Sequence, residues 1–308
     1  MSVAKAFATS ANLGPGFDVC GLCLSSPFDL VSVEESNRFS IKNNGKYPAF
    51  DAANSPIGSI MYALNKEIGV PNKVTVTITK NIKPRSGMGS SAAESVGFLL
   101  AIDDLFELNF TKQQLVEYAA IGEQAAVGTP HYDNVTPCIH GGFTVTTINP
   151  LSIKKIEPPA DLELMLLISS VEKASTAYAR SVLPEVVPFR QYVRATSNIA
   201  KLIQALDEKN TEKIIRAVQL DEIIEPSRAK AGIIPLLEEL RKAAEPFEIG
   251  VCSSGAGPTI LALCRKGNEK KQEFKENANK LFTEKGLTLE IVDANPNNEG
   301  AVLAEKSY

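Results

Sequence analysis

The segment from residue 73 to about residue 108 constrains the fold more than any other part of the chain. Residues 73–82 alternate in character, with Val74, Val76 and Ile78 on one face and threonines on the other. A period of two is typical of a strand that is buried on one side. A loop rich in glycine and serine follows, and then a long apolar helix. Because a strand, a tight loop and a helix in this order need a sheet covered by helices, we predict a mixed α and β protein.

Strands and helices are predicted along the whole chain. Pro56 and Gly69 mark the two ends of a helix, and Thr111 with Gln114 forms a capping box that begins another. Residues 150–160 contain three prolines, and we interpret them as the bridge to a second unit. The other predicted elements are strands at 3–9, 17–24, 30–34, 39–42, 143–148 and 164–168, helices across roughly 174–245, a strand–turn–strand unit at 249–264, a charged helix at 268–284 and a last strand at 287–292.

Length and composition limit the class of protein. The chain has 308 residues, a length that favours two domains. Its 32 basic and 36 acidic residues give a net charge of −4, and this near-balance argues against a general nucleic-acid partner. No apolar run approaches the roughly 20 residues that cross a bilayer, and the N-terminus is a poor signal peptide. Five cysteines are too few, and odd in number, for a disulfide framework. We therefore expect no membrane partner and a cytoplasmic location.

Residues 84–93, PRSGMGSSAA, have the features of a phosphate-binding loop. Gly87 and Gly89 permit backbone conformations in which successive N–H groups converge on one anion. The helix that follows adds its positive N-terminal end, and two adjacent serines add hydroxyls that can reach a phosphate or a magnesium ion. The alternative is an ordinary glycine- and serine-rich loop that caps a helix. Neither a Walker loop nor a GxGxxG sequence occurs in the chain.

Two further glycine-rich segments lie far from this loop in the sequence. Residues 10–18, SANLGPGFD, place Asn12 and Asp18 on either side of a Gly-Pro-Gly turn. Taken alone, these two residues are more typical of a stabilised turn. Residues 250–259, GVCSSGAGPT, hold three glycines and two serines between two predicted strands, more than a hairpin requires. That segment predicts a loop that approaches a ligand or the phosphate loop, with a plain β-turn as the alternative.

Together the segments ANLGPGFD, PRSGMGSSAA and SSGAGPT resemble, in order and spacing, the three motifs of the GHMP kinases (galacto-, homoserine, mevalonate and phosphomevalonate kinases). The resemblance covers nearly the whole chain. It implies a two-domain α+β fold with ATP, the co-substrate, bound between the domains. Residues 1–157 would form an ATP-binding half like ribosomal S5 domain 2, with a left-handed β-α-β crossover that departs from the usual right-handed rule. Residues 158–308 would form a ferredoxin-like half. Family members are often homodimers, so a homodimer is expected.

Residues between the motifs are similar to those of the homoserine kinases within that superfamily. Many relatives carry a catalytic aspartate at the end of the segment that contains His131 and Asp133, whereas homoserine kinases resemble this chain in carrying asparagine, here Asn134. Because an amide cannot accept a proton, Asn134 would orient the acceptor hydroxyl. Arg180 and Arg228 match the arginines that clamp a carboxylate in that family, a task that suits the guanidinium fork.

The resemblance therefore implies transfer of the γ-phosphoryl group of ATP to L-homoserine, on the route to threonine. Asp18 with Asn12 would meet the ammonium group of the acceptor, and Mg²⁺ would be held by Ser91 and Glu123, the sparse oxygen set that this ion uses beside phosphate. Asn134, Glu123 and Ser91 are the implied catalytic residues. The implied substrate-binding residues are Asn12, Asp18, His131, Asp133, Asn134, Thr176, Arg180, Arg228 and Gly255. The implied nucleotide-binding residues are Pro84, Arg85, Ser86, Gly87, Met88, Gly89, Ser90, Ser91, Ala92, Ala93 and Glu94.

Two alternatives stay open: a GHMP kinase for another small acceptor, such as shikimate or mevalonate, and a catalytically silent, nucleotide-binding regulator on the same scaffold. The lysines before the phosphate loop, Lys80 and Lys83, either contact the nucleotide or are solvated residues at a strand edge. Cys20 and Cys23 have the CxxC spacing, but no second pair completes a zinc site, so we expect no metal or redox role for them.

Overall fold

The structure is a computed structural model that describes residues 1–48, 55–171 and 175–304. The strands are β1 (Ser2–Ala11), β2 (Cys20–Glu35), β3 (Ser40–Asn43), β4 (Val74–Thr79), β5 (Phe143–Thr147), β6 (Ser152–Ile156), β7 (Leu162–Ser169), β8 (Gly250–Ser253), β9 (Ile260–Arg265), β10 (Leu289–Ala294) and β11 (Val302–Leu303). The helices are α1 (Pro56–Ile68), α2 (Ser90–Phe106), α3 (Lys112–Val127), α4 (Tyr132–His140), α5 (Thr176–Ser181), α6 (Phe189–Asp207), α7 (Thr211–Ala217), α8 (Ile224–Lys230), α9 (Leu237–Ala244) and α10 (Lys271–Glu284).

The first half of the chain builds a sheet in the order β11-β1-β2-β4-β3, to which β5 and β6 are added beside β2. Strands β3 and β4 are parallel and are connected through α1, so they form a β-α-β unit, while the other neighbours are antiparallel. Helix α2 packs on β1 and β2. This packing fixes the start of α2, and with it the loop that precedes the helix, relative to the sheet.

The second half contains a separate four-stranded antiparallel sheet in the order β10-β7-β9-β8. Along the chain its elements follow as β7, a helical region, β8, β9, α10 and β10. This is the β-α-β-β-α-β sequence of a ferredoxin-like unit, so the predicted ferredoxin-like half is confirmed. A second apolar core, which includes Leu167, Val251 and Phe282, lies behind this sheet.

Local signals located several element boundaries correctly. The Ser55 hydroxyl accepts the Ile57 N–H at the start of α1, and Gly69 ends this helix in the left-handed conformation with a φ of 73°. The capping box of Thr111 and Gln114 is present in both directions at the start of α3. Predictions that depended on such short-range chemistry were therefore confirmed.

The predicted strands at 17–24 and 30–34 are one strand, and that prediction was wrong. Strand β2 runs without interruption from Cys20 to Glu35. Phe7 pairs with Phe28, whereas Thr9 pairs with Cys23, so several residues of β2 lie opposite a single residue of β1. Pro27 lies in this bulge, where the ladder does not require its missing N–H. Proline therefore marks a bulge here and not the end of a strand.

Two expectations about the second half of the sequence also need correction. The proline-rich bridge at 150–160 contains β6, which pairs with β5 in the first sheet. The strand at 287–292 is not the last one, because β11 follows it and pairs with β1. The proposed division between residues 157 and 158 falls in the link between β6 and β7, and the end of the chain crosses back to the first sheet. In the described ranges, no helix has the length and apolar character to span a membrane.

Candidate active site

A cleft with a cavity volume of about 110 Å³ lies where side chains of the two halves face each other. The structure brings into it all nine residues for which the resemblance implied a substrate contact. They are Asn12, Asp18, His131, Asp133, Asn134, Thr176, Arg180, Arg228 and Gly255. The two residues at the sequence extremes of this set, 243 positions apart, are hydrogen-bonded to each other. The cleft is therefore a property of the tertiary fold and not of any one segment.

The three glycine-rich segments are hydrogen-bonded to one another. The Gly255 N–H donates to the Ala11 carbonyl at 3.1 Å, and Asn12 Nδ2 donates to the Gly255 carbonyl at 2.7 Å. Ser254 Oγ donates to the Gly87 carbonyl at 2.9 Å. A Cβ at position 87 would lie 2.2 Å from the Ser254 carbonyl oxygen, so this approach requires glycine. The third segment therefore packs on the phosphate loop, as the sequence predicted, and is not a plain β-turn.

The phosphate loop directs the N-terminus of α2 into the cleft. Gly89 occupies the N-cap position with a φ of 63° and has no side chain with which to cap the helix. Ser90 and Ser91, the first two helical residues, line the cleft, and N–H groups in the first turn of a helix have no intrahelical acceptor. The N-terminus of this 17-residue helix therefore offers amide donors and a positive potential, the combination that binds phosphate.

Only part of the segment 84–94 faces the cleft. The residues of this segment that line it are Arg85, Gly87, Gly89, Ser90 and Ser91. Pro84 and Ser86 line a neighbouring cavity. The side chains of Met88, Ala92, Ala93 and Glu94 are buried. The prediction that these four residues bind the nucleotide therefore rests on their backbone groups, because the loop and the first turns of α2 direct their side chains into the protein interior.

Beneath the phosphate loop, a buried lysine joins two carboxylates. Lys80 Nζ lies 2.6 Å from Asp29 Oδ2 and 2.7 Å from Glu94 Oε1, and all three side chains are fully buried. Burial raises the pKa of the Glu94 carboxyl, while Lys80 acts in the opposite direction. Lys80 is therefore not a solvated residue at a strand edge. Lys83, by contrast, reaches the carbonyl of Ser169 at 3.5 Å and stays partly exposed.

At the rim of the cleft, Asp18 and Arg180 pair with each other. The two terminal nitrogens of Arg180 donate to the two carboxylate oxygens of Asp18 at 2.9 and 2.8 Å. The side chains are 32% and 42% exposed for Arg180 and Asp18, so water screens this pair. The sequence led us to expect separate ligands for these two groups. An acceptor that used both would have to open the pair or exchange it for its own ammonium and carboxylate.

Arg228 carries a buried charge that no carboxylate neutralises directly. Its residue is 2% exposed, and its Nε and Nη1 donate to the carbonyls of Ala179 and Gly255, both at 3.2 Å. Among the ion pairs of the described residues, none includes this guanidinium. Burial and the nearby Arg180 lower its pKa. The guanidinium carbons of Arg180 and Arg228 lie 5.4 and 5.3 Å from the centre of the Phe17 ring. Two cations beside one ring favour an anionic ligand.

Two asparagine side chains are held in fixed orientations. Asn12 uses Nδ2 on the third glycine-rich segment, and its Oδ1 accepts the Asp18 N–H at 3.3 Å. Asn12 therefore joins the loops, and only its Oδ1 is an acceptor for an ammonium group. Asn134 Oδ1 accepts from Thr9 Oγ1 at 2.9 Å, and Asn134 Nδ2 donates weakly to Asp133 Oδ1 at 3.4 Å. The Asn134 amide thus has its oxygen engaged and its nitrogen only weakly so.

Asp133 places a titratable carboxyl in the wall of the cleft. Its residue is 3% exposed, and burial raises the pKa of Asp133 to about 7. Asp18 and Glu123 add to this rise, whereas His131 and Arg180 oppose it. Near neutral pH this carboxyl is therefore present in both protonation states, one of which donates a hydrogen bond while the other only accepts.

Among the residues that the structure describes, Glu123 Oε1 is a buried carboxylate oxygen without a hydrogen-bond partner. Its Oε2 lies 3.4 Å from His131 Nδ1, whereas its Oε1 is buried and unpartnered, and both Glu123 and Ser91 line the cleft. Within residues 1–48, 55–171 and 175–304, no three His, Cys, Asp or Glu side chains are grouped so that they could hold a metal ion by themselves. The donor set of one carboxylate and one hydroxyl fits Mg²⁺, which takes its other ligands from phosphate and water.

Cys20 and Cys23 are both buried. Burial raises the pKa of Cys20 to about 12 and raises that of Cys23 strongly, so neither forms a thiolate at neutral pH.

Sequence reasoning missed Phe17 and Thr9. Phe17 directly precedes Asp18 in the first glycine-rich segment, and this adjacency was the only signal for it. Thr9 gave no signal, because its contact with Asn134 spans 125 residues.

Comparison with known families matches segments of both halves of the chain to the GHMP kinases. Residues 55–142 match the family model for the GHMP kinases N terminal domain, and residues 199–283 match that for GHMP kinases C terminal. The homoserine kinase of Methanocella arvoryzae is 38% identical over 294 residues, which are 93% of this chain and 92% of the relative. The homoserine kinase of Methanococcus maripaludis is 36% identical over 84% of this chain and 86% of the relative.

Solved structures give the same result for the fold. The crystal structure of homoserine kinase from Cytophaga hutchinsonii matches with a TM-score of 0.88 and 30% identity, covering 98% of this chain and 97% of that one. A mevalonate kinase from L. major, solved with R-mevalonate, shares the fold at a TM-score of 0.73 and 16% identity, over 96% of each chain. The chain belongs to the homoserine kinase family of the GHMP kinases.

Proposed function

We propose that this protein transfers the γ-phosphoryl group of ATP to the side-chain hydroxyl of L-homoserine and forms O-phospho-L-homoserine. The observation that carries the proposal is the pairing of two binding features in one cleft. A buried guanidinium without a carboxylate partner, Arg228, faces the same space as the uncapped N-terminus of α2. The first feature suits an amino-acid carboxylate and the second suits a phosphate chain.

On the nucleotide side, the phosphate loop and α2 would bind the phosphates. The first-turn amides and the positive end of α2 face the γ-phosphoryl group in this proposal, and Arg85 adds a cation at the edge of the cleft. These groups are fixed before the reaction, so they stabilise the charge that develops during transfer without a reorganisation cost. In a phosphoryl transfer, positioning and charge stabilisation supply most of the catalysis.

On the acceptor side, Arg228 would hold the carboxylate and Arg180 would assist it. Asp18 would hold the ammonium group with help from Asn12 Oδ1. Asn134 would orient the hydroxyl through Nδ2, since its Oδ1 is occupied by Thr9. A sugar lacks both charges, so it would leave Arg228 without a carboxylate, and mevalonate lacks the ammonium group, so it would offer Asp18 no cation in exchange for Arg180. The remaining predicted contacts, Thr176, His131, Asp133 and Gly255, line the same cleft.

Ser91 and Glu123 would hold Mg²⁺, which when bound neutralises charge on the phosphate oxygens. This role accounts for the unpartnered Oε1 of Glu123, which would otherwise be a buried anionic oxygen without compensation. His131 beside Oε2 would keep the carboxylate oriented. The proposal also includes three features that derive from the family: the two domains at 1–157 and 158–308, a homodimer and a cytoplasmic location. Light scattering of the purified protein tests the homodimer.

A coupled ADP-release assay with MgATP and a panel of acceptors tests the proposed reaction. The panel contains L-homoserine, D-homoserine, L-serine, mevalonate, shikimate and galactose. We expect turnover on L-homoserine far above that on the other compounds. A preference for shikimate or mevalonate would support kinase activity but overturn the assignment of L-homoserine as the acceptor. Absence of turnover on every compound, with ATP still bound, would favour a silent regulator.

A further inference from the structure

The buried cluster of Asp29, Lys80 and Glu94, hereafter the charge triad, has no place in the reaction described above. All three side chains are 0% exposed to solvent, and none of them lines the cleft. One ammonium group faces two carboxylates. Removing such groups from water is costly, and a well-packed apolar cluster is often at least as stable. The triad therefore calls for a role besides stability.

The contacts of the charge triad bracket the phosphate loop. On the entry side, Asp29 Oδ1 accepts the N–H groups of Asn81 and Ile82 at 2.7 and 2.8 Å, just before the loop begins. On the exit side, Lys80 Nζ donates to the carbonyl of Ser90 at 3.0 Å, at the first residue of α2. One hydrogen-bonded network thus holds both ends of the segment 83–89.

Within α2, the triad also clamps the first turn. Ser90 and Glu94 are four residues apart and therefore lie one above the other on the same face of the helix. Lys80 contacts the carbonyl of one and the carboxylate of the other. The turn that it holds is the turn whose amides and Ser91 hydroxyl face the cleft. A rotation of this turn would move the amide and hydroxyl donors that α2 presents to the phosphates of ATP.

We infer that Asp29, Lys80 and Glu94 are positioning residues that fix both ends of the phosphate loop and thereby set its affinity for the phosphates of ATP. The inference rests on the proposed function, because it takes this loop to bind ATP. The triad acts through the loop and touches neither substrate. Its loss therefore affects the nucleotide directly and reaches the acceptor's ligands only through the contact of Ser254 with Gly87, so acceptor binding should change far less.

The test compares Asp29→Asn and Glu94→Gln with the wild-type enzyme. Each change keeps the size of the side chain and removes one charge from the triad. We expect the KM for MgATP, and the Kd of a non-hydrolysable ATP analogue measured by calorimetry, to rise about 10- to 100-fold, as for small misplacements of positioning groups. The KM for L-homoserine should change by no more than about twofold, since its ligands stay in place. Phe282→Leu, in the second core, is the control for a general loss of stability.

A further variant removes all three charges at once, as Asp29→Asn, Lys80→Met and Glu94→Gln, so that no unpaired charge remains buried and residue 29 keeps an acceptor oxygen for the N–H groups of Asn81 and Ile82. It should fold and still bind the analogue weakly. Normal analogue binding in this variant or in both single variants would overturn the inference, as would an equal rise in the KM for MgATP in Phe282→Leu. Wild-type enzyme that binds the analogue but does not phosphorylate L-homoserine would refute the proposed function alone, because the binding measurements still test the triad.

Discussion

Replacement of Arg228 by methionine should weaken the use of L-homoserine far more than replacement of Arg180 by methionine. Arg228 is buried and has no ion-pair partner among the described residues, so a substrate carboxylate would be its first direct counter-charge. Arg180 is about one third exposed and already shares its charge with Asp18. The two arginines look equivalent in the sequence, and only their surroundings distinguish them.

The expected magnitudes follow from these surroundings. Loss of one partner from a buried charge pair costs about 3–5 kcal/mol, and each 1.4 kcal/mol is about tenfold, so Arg228→Met should lower kcat/KM for L-homoserine by at least roughly 100-fold. An exposed ion pair contributes about 0.2–1 kcal/mol, which corresponds to no more than roughly fivefold for Arg180→Met. Arg228→Lys keeps the charge but loses the planar fork, so its effect should fall between the two.

The ADP-release assay measures these effects while L-homoserine is varied at saturating MgATP, and the KM for MgATP should stay within about twofold of wild type. Arg241→Met is a matched control, because Arg241 is a largely buried guanidinium in the same half that pairs with Glu225 and lies outside the cleft. It should lower Tm and leave the KM for L-homoserine unchanged. If Arg180→Met costs as much as Arg228→Met, the reasoning from charge compensation is wrong.

Three further predictions concern other parts of the cleft. Glu123→Ala should lower kcat and shift the magnesium dependence of the rate, and an unchanged magnesium profile would exclude Glu123 from the metal site. The pKa of Asp133 is about 7 in the folded protein and near 4 in the unfolded chain. The protonated carboxyl therefore contributes its full stabilisation of the fold below about pH 4, and this contribution is lost as the pH rises to about 7. Asp133→Asn should remove that loss, which denaturant unfolding at pH 4 and pH 8 would detect; equal pH profiles would contradict it. Gly89→Ala would place a Cβ 2.0 Å from Thr9 Oγ1 at a φ of 63°, so it should cost about 1–3 kcal/mol of stability and raise the KM for MgATP. A wild-type Tm in calorimetry would show that the loop relaxes freely.

Much of the cleft could be predicted because its residues sit in short segments with their own chemistry. The glycine-rich segments and the caps of α1 and α3 depend on a few adjacent residues. The resemblance named nine substrate positions, and all nine line the cleft. The pairing of Asp18 with Arg180, in place of two separate substrate ligands, could not be predicted in this way. The mutual pairing of Asp18 with Arg180 spans 162 residues, and it depends on how the start of β2 meets α5. A family pattern names such residues but does not state whether they contact each other.

The charge triad was missed for a different reason, since the sequence did contain a signal for it. Lys80 continues the spacing of Val74, Val76 and Ile78, which is the buried face of β4, and Asp29 has the same relation to Val31 and Val33 in β2.

Opposite charges in two inward-facing registers form a contact prediction in themselves, because a lone buried charge is too costly to keep. The register of the sheet agrees: Leu30 lies opposite Thr79, so the next pair along is Asp29 and Lys80. Glu94 adds the third charge from α2, in which it is the only charged residue before Asp103. The alternative that Lys80 is a solvated residue at a strand edge ignored this register. Strand alternation, applied to charged residues as strictly as to valines, places the charge triad beneath the phosphate loop that it holds.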